Sequence, residues 1–264
     1  QISPANVDFI LSGDLLDQCM GSAFAIKDLE IPSIGLYGAC STMALSLCVG
    51  SMLIDGGANC VVAGTSSHFC SSERQFRFPL EYGGQRPPSA QWTVTGAGSA
   101  VLSAMGDGIK IKAVSIGTIC DLGITDANNM GAAMAPAAEK TIYEFLQDTN
   151  TKPSDYDLIL TGDLGFTGSQ LLYELMETEH GIDLRNQHND CGLMIYNLEE
   201  QDVNSGGSGC GCAGSVLCSH ILKRMRKNKL KKVLFTATGA LMSPTSSKQG
   251  NSIPGIAHAV LLEV

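Results

Sequence analysis

Residues 38–46 read GACSTMALS, a turn of small residues that delivers Cys40 to the start of an apolar helical stretch. A helix N-terminus presents unpaired N–H groups and a partial positive charge. A thiol placed there is expected to have its thiolate favoured and its pKa lowered. The Gly38-Ala39 pair leaves little steric cover over the sulfur. Together these features describe a nucleophile position at a strand–turn–helix elbow. The alternative for such a cysteine is a small buried hydrophobe, and the stretch alone does not separate the two.

Other chemistry-bearing types cluster elsewhere. The segment SERQFRFPLEYGGQR (72–86) holds Arg74, Arg77 and Arg86, enough positive charge to bind an anion if it is not simply a solvated loop. HNDCG places His188, Asp190 and Cys191 together, as a candidate pocket element or a capped loop. Cys210 and Cys212 form a C-x-C pair, but no second ligand pair with zinc-like spacing accompanies it. His180 and His220 fall on helical stretches among polar neighbours and read as surface or structural. His258 is expected to have a core partner, while His68 follows a strand and is a pocket candidate. Trp92 is expected to anchor a loop.

Positioning these groups requires a large frame. The chain has 264 residues, 44% of them hydrophobic, which suffices for one large domain or two ordinary ones. No apolar run reaches the ~20 residues of a membrane span, and no secretory signal opens the sequence. A net charge of −9 argues against nonspecific nucleic-acid binding. Ten cysteines in a chain of this length, mostly inside apolar or glycine-rich stretches, are expected to be reduced, cytosolic thiols. The basic run KRMRKNKLKK (223–232) suits a helix end, where cations meet the negative dipole end, and alternatively an anionic membrane or partner.

The chain repeats itself loosely. VDFILSGDLLDQ (7–18) resembles YDLILTGDLGFTGSQ (156–170): an acidic residue, an apolar run, then Gly-Asp-Leu. Val61 lies 21 residues after Cys40, and Val233 lies 21 residues after Cys212, each opening a further strand. Continuous apolar runs suit strands covered on both faces. Helices are expected at about 41–55, 136–148, 168–179 and 213–228. The Met-Gly-Asp-Gly tip within 93–119 reads as a hairpin turn. The expected fold class is α/β with layered sheets and helices, in two similar halves, 1–122 and 123–264. The second half carries an insertion around 183–208, read as a strand at about 191–197 with flanking loops.

GACSTMALSLCVGSMLIDGGANCVVAG and the closing PGIAHAVLLEV resemble the cysteine elbow and last strand of the thiolase and β-ketoacyl synthase superfamily. The resemblance implies a duplicated five-layered αβαβα fold, with the family's opening strand and helix missing from this chain. It also implies strand pairing across a homodimer near CVVAGTSS. SSERQFRFPLEYGGQRPPSAQWTVTGAGSA, GGSGCGCAGSV and ATGALMSPTSSKQGNSIPGIAHAV are more specific, and resemble the stage V sporulation protein AD family of spore-forming bacteria. That family binds dipicolinic acid and helps move it, with calcium, into the developing spore alongside membrane-embedded partners. The resemblance therefore implies a peripheral protein on the cytoplasmic side of the spore inner membrane, with no cofactor.

Against the synthases, the supporting groups have changed type. Where type III ketoacyl synthases place a histidine, this chain has Gly162 followed by Asp163. Where thiolases have histidine and type III synthases asparagine, it has Cys210. KQGNSIPGIA carries no counterpart of the second thiolase cysteine. A carboxylate opposes an oxyanion and a thiol is a weak donor, and losing one hole donor costs ~2.7–4 kcal/mol. The expectation is a non-catalytic binding protein, with Cys40, Arg77, Arg86, Asp163, His188, Asp190 and Cys210 around the ligand and Lys248 behind the arginines. Free acid and calcium chelate both stay open as the ligand. The alternative is a cysteine-dependent acyltransferase using Cys40.

Overall fold

The computed structural model describes residues 2–70, 72–77 and 84–264. In the first half, β1 (Phe9–Gly13), α1 (Met20–Ile26), β2 (Ser33–Gly35), α2 (Thr42–Asp55) and β3 (Cys60–Ser67) alternate strand with helix. β4 (Trp92–Thr93), β5 (Gly96–Ser103) and β6 (Lys110–Ile116) follow. The second half runs α3 (Met130–Asp148), β7 (Leu158–Thr161), α4 (Gly165–His180), β8 (His188–Asp190), α5 (Cys191–Met194), β9 (Gly207–Ser208), α6 (Cys210–Val216), α7 (Leu222–Arg226), β10 (Lys232–Ala240), α8 (Pro244–Lys248) and β11 (Gly255–Glu263). A π-helical turn, Leu217–Ile221, joins α6 to α7.

The first sheet has the order β2-β1-β3-β5 and the second β6-β11-β10-β7-β8. β1 is parallel to β2 and β3, and β7 is parallel to β8 and β10. β5 and β11 are the antiparallel members beside β3 and β10. The order β2-β1-β3-β5 thus maps onto β8-β7-β10-β11, and the internal duplication is a real structural repeat. The place that β6 takes beside β11 has no counterpart beside β5 among the described residues.

The strands read as continuous apolar runs because both faces are covered. Along β10, Val233, Phe235 and Ala237 join one apolar cluster and Leu234 joins the other. The first cluster holds α2 and α6 between the sheets, with Leu11, Met43, Val61, Cys212, Phe235 and Val260 packed together. The second lies under α3 and α4 on the outer face of the second sheet. β5 and α6 approach so closely that a Cβ on Gly98 would lie 2.1 Å from the Gly214 carbonyl oxygen, a contact only glycine allows.

Two expectations are corrected. The Met-Gly-Asp-Gly tip is not a hairpin, because β5 pairs with β3 and β6 crosses to pair with β11. The strand expected at 191–197 lies earlier, at His188–Asp190, and residues 191–194 are helical because the Asp190 carboxylate caps them, accepting from Gly192 N at 2.9 Å. β3, the CVVAGTSS strand, is flanked by β1 and β5, and the edges of its sheet among the described residues are β2 and β5.

Candidate ligand-binding site

The elbow is built as the small-residue turn requires. Ala39 adopts φ +50°, in the left-handed region that few non-glycine residues enter. Side chains fasten the turn: Ser41 Oγ donates to the Gly38 carbonyl at 2.6 Å, and Thr42 Oγ1 donates to the Ala39 carbonyl at 2.7 Å. Gly239 of β10 lets the second sheet reach this turn, since a Cβ there would lie 2.4 Å from the Gly38 carbonyl oxygen.

Cys40 is brought to this elbow but is not activated. It is 5% exposed and packs with Leu15 and Cys210, with Phe76 against them. Its sulfur lies 3.9 Å from Ser208 Oγ. Burial pushes its pKa well above the usual thiol value; the Asp163 carboxylate and Cys210 push the same way, and Arg77 opposes only in part. The helix-terminus effect, typically 0.3–1 kcal/mol, is outweighed by burial and a nearby carboxylate. This corrects the expectation of a lowered pKa. Alkylation with iodoacetamide at pH 8 is expected to label exposed Cys70 well before Cys40, read by time-resolved peptide mass mapping. Labelling of Cys40 first would restore an activated nucleophile.

Asp163 is fully buried and saturated. Its carboxylate accepts from Ser208 Oγ at 2.8 Å, Gly209 N at 2.8 Å and Thr238 Oγ1 at 3.0 Å. Through Ser208 it sits beside the Cys40 sulfur. Cys210 donates its thiol to the Ser66 carbonyl at 3.1 Å, turned away from that position, and burial raises its pKa too.

Arg77 is the cation of the site. It is 7% exposed; Nε donates to Thr93 Oγ1 at 2.7 Å and Nη1 to Met130 Sδ at 3.4 Å. Burial lowers its pKa, while Cys40, Asp163 and Glu73 act to raise it. Arg77 and Arg86 line one cleft with Phe76, Gln91, Asn128 and Met130, about 10 Å³ in volume. Arg86 Nη2 is held at its rim by the Asp202 carboxylate at 2.7 Å, and its guanidinium lies over Trp92 at 4.5 Å. Arg86 Nη1 and Gln91 Oε1 are buried with no partner among the described residues. Trp92 also stacks on Phe69 at 4.1 Å, as a loop anchor.

The remaining candidates are placed differently. His188 and Asp190 belong to β8, a buried strand rather than a capped loop, and neither lines the cleft of Arg77 and Arg86. His188 Nε2 meets Thr161 Oγ1 and Nδ1 meets Tyr173 Oη, both at 2.8 Å, and burial lowers its pKa to about 3. Asp190 accepts from Thr161 Oγ1 and from the Leu164, Gly165 and Gly192 amides; burial raises its pKa to about 6. Lys248 ends α8, exposed. His258 is only half satisfied: Nδ1 accepts from Gly117 N at 3.3 Å, while Nε2 is buried without a partner among the described residues. His68 lines a separate open groove of about 530 Å³ with Asp14 and Glu73. His180 bonds Glu139 and stacks on Tyr143.

Sequence reasoning missed Gln91, Ser208, Thr238 and Glu73. Ser208 and Glu73 lay inside quoted motifs, next to Cys210 and Arg77, but nothing local marks a serine or glutamate as buried. Among the described residues no three His, Cys, Asp or Glu side chains converge as a metal site. No described helix is long and apolar enough to cross a membrane.

The frame matches solved structures at low sequence identity. 3-Oxoacyl-[acyl-carrier-protein] synthase III from Aquifex aeolicus VF5 aligns at TM-score 0.59 and 16% identity, covering 100% of this chain and 79% of that one. Bacillus anthracis acetyl-CoA acetyltransferase aligns at TM-score 0.59 and 13% identity, covering 99% and 88%. These likenesses establish a thiolase-like fold alone. Stage V sporulation protein AD of Bacillus subtilis (strain 168) is 47% identical over 259 residues, covering 98% of this chain and 76% of that protein. With the stage V sporulation protein AD profile also matching residues 1–263, the chain belongs to the stage V sporulation protein AD family.

Proposed function

We propose that this chain is a non-catalytic binding protein for dipicolinate, serving its uptake into the developing spore. The observation that carries the reading is the cleft shared by Arg77 and Arg86, with a guanidinium nitrogen and an amide oxygen lacking partners. Dipicolinate is a planar pyridine with two carboxylates, and two guanidinium forks suit such a dianion. The cleft is closed to about 10 Å³, so admitting the ligand requires Arg86 to leave Asp202. In that pair Asp202 is 89% exposed but the Arg86 side chain only 12%, so releasing it also lifts the guanidinium from Trp92. Asp163 and Asp190 already accept several hydrogen bonds each, so neither is free to ligate calcium. This favours the free dianion over the chelate.

The same geometry disfavours acyl transfer by Cys40. A saturated carboxylate lies beside the sulfur, and the Cys210 thiol points to a backbone carbonyl. A homodimer would use the free edge of β2, where Phe24, Leu29 and Ile34 are exposed. Exposed Lys223, Arg226, Lys227, Lys229 and Lys231 offer a surface for anionic lipid or membrane-embedded partners on the cytoplasmic side of the spore inner membrane.

Dipicolinate at about 100 times its Kd is expected to stabilise the fold by ~2.7 kcal/mol. For a chain of this size that raises Tm by about 5–10 °C. Pyridine-2-carboxylate, with one carboxylate, should shift it much less. An acyl adduct that forms on Cys40 from acyl-CoA and turns over would overturn the reading.

A further inference from the structure

The short turn Ser72–Phe76 connects the open groove to the elbow. Glu73 lines the groove, Phe76 packs on the Cys40–Cys210 cluster, and Arg77 follows directly. Glu73 is 2% exposed and is the turn's attachment point. Its carboxylate accepts from His68 N, just past β3, and from the Leu15 amide, just past β1. The carboxyl ends of two parallel strands therefore clasp one side chain, which fixes where Arg77 emerges four residues later.

We propose that Glu73 is a proton-operated latch that sets both the position and the effective charge of Arg77. This deepens the dipicolinate reading and rests on it for the ligand. Charged and titratable groups face Glu73 from each neighbouring element: Asp14 after β1, Arg77 on its own turn and the neutral Cys210 thiol on α6, with His68 lining the groove beside it and Arg74 turned outward over Phe69. Asp14 cannot relieve Glu73, because it is committed to Leu16 N, Ser22 N and Ser22 Oγ. Burial, with Asp14 adding to it, raises Glu73 from its ordinary value near 4.5 to about 7, against the pull of Arg77 and two amides.

The signs agree. Below about pH 7 the seated Glu73 is neutral and leaves the charge of Arg77 to an incoming carboxylate. Above it, the glutamate ionises, partly cancels Arg77 and repels the ligand. Opening the turn returns Glu73 to water, so its raised pKa stabilises the closed turn fully below about 4.5 and loses that contribution as pH rises to about 7. Both effects make anion binding tighter in acid, and both predict that binding takes up a proton near neutrality.

The test is calorimetric titration of the full chain with dipicolinate between pH 6 and 8, in buffers of different ionisation enthalpy. Dipicolinate stays a dianion across that range, so any proton taken up comes to the protein. Affinity is expected to be about fivefold tighter at pH 6 than at pH 8, the effect over that range of a one-unit shift in one group titrating near 7, with net proton uptake near pH 7. Glu73→Gln should flatten the pH dependence and abolish the uptake, while His68→Gln should change neither. A pH-independent affinity in the unmodified protein, or uptake that persists in Glu73→Gln, overturns the latch. If dipicolinate binds neither protein at any pH, the ligand reading fails instead. The latch is then judged by amide exchange, corrected for intrinsic rate: residues 72–77 should open more readily as pH rises from 5 to 7 in the unmodified protein only. Equal opening across that range rejects it.

Discussion

Replacing Arg77 by methionine is expected to weaken dipicolinate binding by roughly 30- to 150-fold while leaving the fold as stable as before or more so. The binding loss corresponds to about 2–3 kcal/mol, the range for removing one partner of a desolvated charge pair. The stability result follows from what surrounds the guanidinium. It is 7% exposed, its described hydrogen bonds go to a threonine and a thioether, and burial already lowers its pKa. No carboxylate forms an ion pair with it among the described residues. Replacing a poorly compensated buried ion by an apolar side chain of similar length is often neutral or stabilising. A residue that costs the fold and serves the ligand is what a binding role requires. Calorimetric Kd together with a urea midpoint reads both quantities. A stability loss above about 2 kcal/mol with unchanged Kd would make Arg77 a structural residue and remove the cation from the proposed site.

Asp163→Ala should show the opposite pattern, a loss of about 3–5 kcal/mol of folding stability. Three donors, from Ser208, Gly209 and Thr238, converge on that carboxylate inside the protein. Each donor left buried without an acceptor costs ~1–3 kcal/mol, partly recovered by relaxation. Asp163→Asn should cost less, because one oxygen is retained. Urea unfolding reads the difference, and a loss under 1 kcal/mol for the alanine variant would mean that the three donors find other partners. The carboxylate ties the segment after β7 to the start of α6 and the end of β10. Its place beside the Cys40 sulfur is thus explained by architecture, with no catalytic duty needed.

Much of this frame was legible in the residues. The helices expected at 41–55 and 168–179 emerged close to those spans, whereas α3 begins six residues earlier than expected and the stretch expected at 213–228 is broken by a π-helical turn. The elbow was legible because Gly38, Ala39 and Thr42 encode its geometry themselves. What failed was information the local chain does not carry. Met105-Gly106-Asp107-Gly108 has hairpin chemistry, but which sheet each flanking strand joins is decided by distant packing. HNDCG looked like a polar loop, yet Thr161 and Tyr173 satisfy His188 from β7 and α4, so a polar string lies in a buried strand. Cys40 looked activated because a helix terminus is visible in sequence, whereas the depth of burial and the carboxylate of a residue 123 positions away are not. Arg77 and Arg86 stood out only as part of a basic cluster, and the fold alone shows that they share a cleft.

The layer between the two sheets has a consequence for how the molecule comes apart. Leu11 and Val61 enter it from one repeat, and Phe235 and Val260 from the other, around α2 and α6. β6, which lies in the sequence before the second repeat, closes that repeat's sheet. The second half has a cluster of its own under α3 and α4, but the layer between the sheets belongs to both halves. Loss of that shared layer therefore involves both repeats at once. The cleft of Arg77 and Arg86 takes Phe76 and Gln91 from one repeat and Asn128 and Met130 from the other, so a molecule lodged there grips both repeats at once and resists their separation.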